Sequence, residues 1–374
     1  MRVLHICNDY CGSRVHANLY IVLDKMGVEQ TVYTYFRGSS LTGRNQFAAT
    51  GTSFLYRPIL NLAHRVLYHK KIRDVYRDLR TSLDGVAFDI SHATTLFSDG
   101  ALAYQLYQDR GIPYVVAVRS TDIYAFLRYA PWAWHNAKNV LLKAEKIVFI
   151  TPAIKKKFCN HPYIRRFLKE IEPKFEMRPN GVDDYWLEHL DLDACRDEAN
   201  REILYVGTFL KRKNAGRLIQ AVLRLRTRIP NVKLHFVGSS GKYEKMVRHY
   251  SGQYPDNFQF HGRISDKDLL RSIYRQCSVF ALPSRHETFG LVYIEALSQG
   301  EKVLYAKDDG VDGLIPAECG RAVHPRSVKE IEQALYDMLI APTKYAPPAW
   351  EWLGFFNWKQ IGGHYYQTYR DILT

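Results

Sequence analysis

Residues 278–300 read SVFALPSRHETFGLVYIEALSQG, and the change of rhythm inside them decides the fold. SVFALPS is apolar and β-prone, which predicts a buried strand. HETFG then forms the loop at its carboxyl end. From Leu291 the apolar residues Leu291, Ile294 and Leu297 fall at helical spacing, and Gly300 stands just past the last of them. A nearly all-apolar strand leading straight into a helix is the repeating piece of a parallel sheet covered on both faces.

The same rhythm runs outward in both directions. EILYVG (202–207), KLHFVG (233–238), FQFHG (258–262) and KVLYA (302–306) read as strands. Helical stretches lie between them at AGRLIQAVLRLRTR, KYEKMVRHY and DKDLLRSIYRQ. Earlier in the chain RVLHIC, QTVYTYF, FDISHA, PYVVAVR and KIVFIT repeat the pattern, with VHANLYIVLDKMG and GALAYQLYQDRG as helices. Strands alternating with amphipathic helices predict two α/β doubly wound domains. The boundary is expected near RPNGVDDYWL, where Pro179, Asn180 and Gly181 are turn formers, with LEHLDLDACRDEAN as an exposed acidic linker. The domains expected are therefore 1–180, joined by a final helix at about 357–374, and 181–356.

A chain of 374 residues has room for two ordinary domains. The opening MRVLHICNDY has too short an apolar run for a signal peptide, and no stretch approaches ~18 apolar residues. The six cysteines, at 7, 11, 159, 195, 277 and 319, form no CxxC or zinc-like spacing. They read as free thiols of a cytoplasmic protein, with no metal site expected.

Charge is uneven. Residues 1–178 hold 26 Lys and Arg against 14 Asp and Glu, and residues 179–374 hold 26 against 24. Nearly all of the net +14 thus lies in the first half, which suits an anionic partner or is simply a basic solvated surface. HRVLYHKKIRDVYRDLR (64–80) places Lys70, Lys71, Arg73, Arg77 and Arg80 beside Val66, Leu67, Ile72, Val75 and Leu79. Such a helix lies on an anionic membrane or buries its apolar face in the core. KKKF at 155–158 and RRFLK at 165–169 repeat the interleaving. None of these basic stretches matches a nucleic-acid recognition motif, so no nucleic-acid partner is expected.

Glu287 and Glu295 stand eight positions apart around Phe289-Gly290. The spacing alone is what an acidic loop residue and a helix-surface glutamate give. The context adds more, because Gly290 sits at a helix start on the carboxyl edge of a sheet. There the free N–H groups suit a phosphate, and a carboxylate suits a sugar diol.

The stretch resembles the E-x7-E motif of the retaining family 4 glycosyltransferases, which have the GT-B fold of two Rossmann-like domains facing a cleft. LYVGTFLKRKNAGRLIQA resembles the family's Val-Gly loop, FVGSSG a second glycine turn, and FHGRIS a segment beside the base. RPNGVD resembles the interdomain hinge, and FNWKQIGGHYYQTYRDIL the closing helix that crosses back to the first domain.

The resemblance implies a hexose moved from a UDP- or GDP-linked sugar to a glycan or lipid-linked acceptor, without metal or other cofactor. Glu287, Lys213 and Arg119 are the implied catalytic residues. Gly12, Gly207, Thr208, Lys211, Arg212, Gly238, Arg263, Phe289, Gly290, Leu291 and Glu295 would hold the donor, with Glu295 on the ribose. His92 and Asp122 would lie on the acceptor side. Thr208 stands where the family carries an arginine, and Arg119 where many relatives carry a histidine. Arg119 also reads as half of a structural pair with Asp122, and His92 as a structural histidine. An epimerase or sugar phosphorylase on a similar scaffold is the competing reading, with a nucleic-acid-binding protein behind it. The expected location is the cytoplasm, peripheral on the inner face of the plasma membrane.

Overall fold

The structure, a computed structural model, describes residues 1–193 and 199–374, so Cys195 and the middle of the acidic segment lie outside the described residues. It divides into two compact units. One comprises Met1–Ile150, Ile154–Gly181 and Trp358–Thr374; the other comprises Thr151–Ala153 and Val182–Asn357.

The first unit holds strands β1 (Arg2–Ile6), β2 (Glu29–Tyr35), β3 (Thr52–Arg57), β4 (Ile90–Ala93), β5 (Tyr114–Val118), β6 (Lys146–Phe149) and β7 (Phe175–Met177). They form one parallel sheet in the order β3-β2-β1-β4-β5-β6-β7. The second unit holds β8 (Glu202–Val206), β9 (Lys233–Val237), β10 (Phe258–Gly262), β11 (Val279–Leu282), β12 (Lys302–Ala306) and β13 (Gly320–Val323). Its parallel order is β10-β9-β8-β11-β12-β13. Each is a Rossmann-like doubly wound sheet. In each the order reverses once, at β1/β4 and at β8/β11, and at such a switch point the loops diverge and leave a crevice at the carboxyl ends.

Period-two alternation sorts side chains onto the two faces of a strand. In β5, Val116 and Val118 join one buried cluster with Leu4, Ile6 and Tyr33. Val115 and Ala117 join the other, with Val3, Val32 and four residues of the helix Trp358–Leu373. Those four, Trp358, Ile361, Tyr365 and Tyr369, recur at three- and four-residue steps and so line one face of that helix. The closing helix is thereby part of the first unit's core.

Of the two readings open for the basic helix the structure shows the core one, and the expected exposed linker is corrected. In the helix Tyr68–Ser82 the apolar residues Ile72, Val75 and Leu79 are buried, so its apolar face is core. The apolar residues left in solvent, Leu62, Val66 and Leu67, lie in the turn before it. Phe158 and Phe167, from the other two basic stretches, are buried as well. The acidic segment after 187 is no free linker where it is described. The Asp191 N–H donates to the Ser298 carbonyl, and its carboxylate pairs with Arg275 at 2.6 Å.

His92, on β4, is 1% exposed, and its Nδ1 shares a 2.6 Å hydrogen bond with the Tyr369 hydroxyl. Its ring stacks on Tyr365. Burial holds its pKa well below the usual value, so the ring is neutral. His92, read from the sequence as an acceptor-side or a structural histidine, fastens the closing helix to the sheet. Tyr369→Phe should strip a buried ring nitrogen of its partner, costing about 1–3 kcal/mol in chemical denaturation. An unchanged unfolding midpoint would remove this fastening role.

Candidate functional site

In the second unit the carboxyl edge is closed up by backbone. The Gly207 N–H donates to the Val237 carbonyl at 3.0 Å, and the Gly238 N–H to the Gly262 carbonyl at 2.7 Å. At Gly238 φ is +143°, and a Cβ there would overlap the Gly207 carbonyl, so only glycine lets these two strand ends meet. Thr208 follows, exposed, with its carbonyl accepting from the Tyr205 hydroxyl at 2.9 Å.

The basic turn Lys211–Lys213 comes next and ends on Asn214, whose φ is +65°. Asn214 is buried, and its side-chain amide donates to the carbonyls of Pro283 (3.0 Å) and Pro325 (2.6 Å). One asparagine therefore pins the basic turn to the chain leaving β11 and β13. The Arg285 N–H adds a 2.7 Å bond to the Arg212 carbonyl.

Across this seam Lys213 Nζ lies 2.5 Å from Glu287 Oε2, with side chains only 13% and 10% exposed. Arg212 reaches the same oxygen at 3.9 Å from a more open position. Lys211 is exposed. The Glu287 loop is fixed in turn by Asp309, which accepts from the N–H groups of His286 (2.6 Å) and Gly310 (3.1 Å). Gly310 packs under Glu287, where a Cβ would stand 3.1 Å from that of the glutamate.

Gly290, with φ +90°, caps the helix Leu291–Ser298, and a Cβ there would press into the Tyr293 ring at 2.6 Å. Phe289 is buried and Leu291 half-buried. The structure thus brings Gly207 to Gly238, and Arg212 and Lys213 to Glu287 and Gly290. Arg263 is exposed on the loop after β10. Glu295 faces the helix Lys267–Gln276, where the Tyr274 hydroxyl donates to it at 3.1 Å. Burial raises its pKa to about 7.

In the first unit the loops after β4 and β5 are tied by Asp122. Its fully buried carboxylate accepts from the N–H groups of Leu96 (3.1 Å), Phe97 (3.2 Å) and Arg119 (2.8 Å). Burial raises its pKa to about 6, against those bonds. The expected Arg119–Asp122 pair is therefore made through the Arg119 backbone. The guanidinium itself donates to the Thr94 carbonyl (3.3 Å) and to Asn180 Oδ1 (3.2 Å). Gly12 lies under the Asp9 carboxylate, so that loop covers its glycine with an acid instead of offering it bare. A pocket of about 450 Å³ opens beside the exposed Leu62–Leu67 turn, lined by Arg37, Leu41, His64, Arg65, Lys71 and Phe126.

Asn214, Asp309 and Gly310 were not among the sequence candidates. An asparagine directly before a helix and an Asp-Asp-Gly turn one residue after a strand are the signals that could have marked them.

Two family models match the chain: "Glycosyltransferase Family 4" over residues 12–185 and "Glycosyl transferases group 1" over residues 195–346. A GDP-mannose-dependent monoacylated alpha-(1-6)-phosphatidylinositol monomannoside mannosyltransferase from Corynebacterium glutamicum is 26% identical over 200 residues. That match takes in 49% of this chain and 52% of the relative, so the chain spans about half the length of this curated relative. Among solved structures, sucrose-phosphate synthase from Thermosynechococcus elongatus superposes with TM-score 0.74 at 19% identity, covering 100% of this chain and 99% of that one. Anabaena HepE, solved with UDP, gives 0.69 at 16% identity, covering 99% and 100%. The fold shared with these structures is GT-B.

The raised Glu295 pKa has a definite consequence for stability. In an unfolded chain the carboxyl titrates near ~4.3. The folded protein favours the neutral form, so stability falls as pH rises from there to about 7. Glu295→Gln should gain on the wild type across that window and hold a constant lead above it. Melting temperatures at several pH values decide this, and a lead that does not vary with pH would contradict it.

Proposed function

We propose that this chain, which belongs to the group 1 glycosyltransferases of family 4, moves a hexose from a nucleotide sugar to a hydroxyl of a glycan or lipid-linked acceptor, with retention at the sugar carbon. The observation that carries this reading is the Lys213–Glu287 pair, set on loops beside the β8/β11 switch point. An ammonium and a carboxylate that neutralise each other can each exchange partner when the donor enters. The diphosphate takes the lysine, and hydroxyls of the transferred sugar take the glutamate.

The chemistry follows from charge. As the glycosidic bond breaks, the leaving diphosphate gains negative charge, and a fixed cation stabilises that state more than the ground state. Lys213 is that cation, with Arg212 beside it in place of the arginine that Thr208 lacks. The acceptor hydroxyl attacks on the face from which the diphosphate leaves and passes its proton to a phosphate oxygen. On this reading no side-chain base and no metal ion take part. Gly290 admits the phosphate to the helix start, and Glu295 in its ionised form accepts from the ribose hydroxyls. Arg119 binds a phosphate of the acceptor or orients a sugar hydroxyl.

The relatives support a nucleotide diphosphate as carrier. One is GDP-mannose-dependent by name, and HepE was solved with UDP. A thermal-shift panel of UDP, GDP and ADP with their common sugar conjugates names the base. A ligand at ~100-fold over its Kd adds about 2.7 kcal/mol. The expected result is a rise for one nucleotide, reduced in Lys213→Ala and Glu295→Ala. No response to any nucleotide would sink the donor-site assignment.

A second reading concerns the first unit. Among the described residues no helix is long and apolar enough to cross a membrane. Leu62, Val66 and Leu67 are nonetheless 68%, 75% and 51% exposed, next to Arg65, Lys70 and Arg73. Apolar residues in a basic setting suit an anionic lipid surface, and the lipid part of the Corynebacterium relative's name agrees. Flotation with anionic liposomes should carry the wild type upward and leave behind a variant with serine at these three positions. Equal behaviour of the two would discard this attachment.

A further inference from the structure

The carboxyl edge does not use every reactive group of the second unit. Away from that edge, Glu202 opens β8, His235 is the middle residue of β9, and Cys277 stands two residues before β11. One ligand atom from each lies within 4.8 Å of the other two. His235 and Cys277 are both 0% exposed. Glu202 Oε2 and His235 Nε2 are 3.2 Å apart, both buried, and neither completes a hydrogen bond.

We propose that Glu202, His235 and Cys277 bind a zinc ion that staples these strands together. The donor set is right: carboxylate oxygen, imidazole nitrogen and thiolate sulfur are the three ligand types zinc takes. The spacing is right as well. Zinc–oxygen and zinc–nitrogen bonds of ~2.0–2.2 Å at a tetrahedral angle put the two ligand atoms roughly 3.3–3.5 Å apart.

The outer partner is also in place. His235 Nδ1 is 2.9 Å from His261 Nε2, and the two rings stack. With Nδ1 carrying the proton and donating it to His261, the lone pair of His235 is left on Nε2, facing Glu202. Glu202 keeps part of its side chain in solvent, which gives an ion a way in. Spacings of 33 and 42 residues form no local pattern, so only the fold assembles the set and the sequence reading found no metal site.

The site lies away from the donor loops, so the ion is structural and takes no part in transfer. Three protein ligands leave the fourth position to water. Without zinc, Glu202 and His235 keep only their close approach, and His235 its bond to His261.

The test uses the full chain, purified without a histidine tag or chelator. Metal analysis of the wild type should find about one zinc per chain, lost in His235→Ala and in Cys277→Ser. Cobalt(II) added to the chelator-treated wild type should give thiolate-to-cobalt absorption in the near ultraviolet, absent in Cys277→Ser. That measurement on the wild type does not depend on any variant folding. A wild type free of zinc that gives no cobalt band would overturn the proposal, and so would zinc retained in both variants. Nucleotide binding is read separately, so failure here leaves the donor-site reading standing.

Discussion

An ammonium and a carboxylate 2.5 Å apart, almost shut off from water, are the constraint around which the second unit's loops are arranged. Such a pair is stable only when both partners are held, because either one alone is a buried charge. Asn214 holds the lysine's turn through two proline carbonyls, and Asp309 and Gly310 hold the glutamate's loop. The glycines at the ends of β8, β9 and β10 bring the backbone close enough for these loops to meet. What looks like a list of separate motifs is one mechanical arrangement with opposite charges at its centre.

The first unit solves a similar problem with acids. Asp99 accepts from the hydroxyls of Tyr35, Thr94 and Thr95, and Asp122 from three backbone N–H groups. Both are fully buried, and burial raises both pKa values to about 6. Asp99 ties the loop after β4 to β2, and Asp122 ties together the loops that follow β4 and β5. Arg119 is consequently presented on a rigid frame, its guanidinium steadied by a carbonyl and an asparagine side chain.

How much of this could be read beforehand depended on whether the signal was local. The change from strand to helix rhythm around HETFG is local, and so is a lysine-rich turn after a strand-end glycine; both were legible. The partnership of Lys213 with Glu287 spans 74 residues and was not. The apolar face of the helix Tyr68–Ser82 was legible as a stripe, but whether a stripe meets core or lipid is a tertiary fact. Asp122 was visible as a residue near Arg119, yet the atoms that meet are a side chain and a backbone amide, which no sequence pattern distinguishes.

The closing helix belongs to the first unit although 176 residues of the second, Val182–Asn357, separate it from the rest. During synthesis both pieces of the second unit, Thr151–Ala153 and Val182–Asn357, are made before that helix. The first unit must meanwhile wait with the helix-facing side of its sheet uncovered. His92 then has no partner for its Nδ1, and the buried cluster around Val3, Val32 and Ala117 lacks Trp358, Ile361, Tyr365 and Tyr369. The order of maturation is therefore the reverse of the order of the units: the later one is finished first. The last seventeen residues act as the latch for the earlier one.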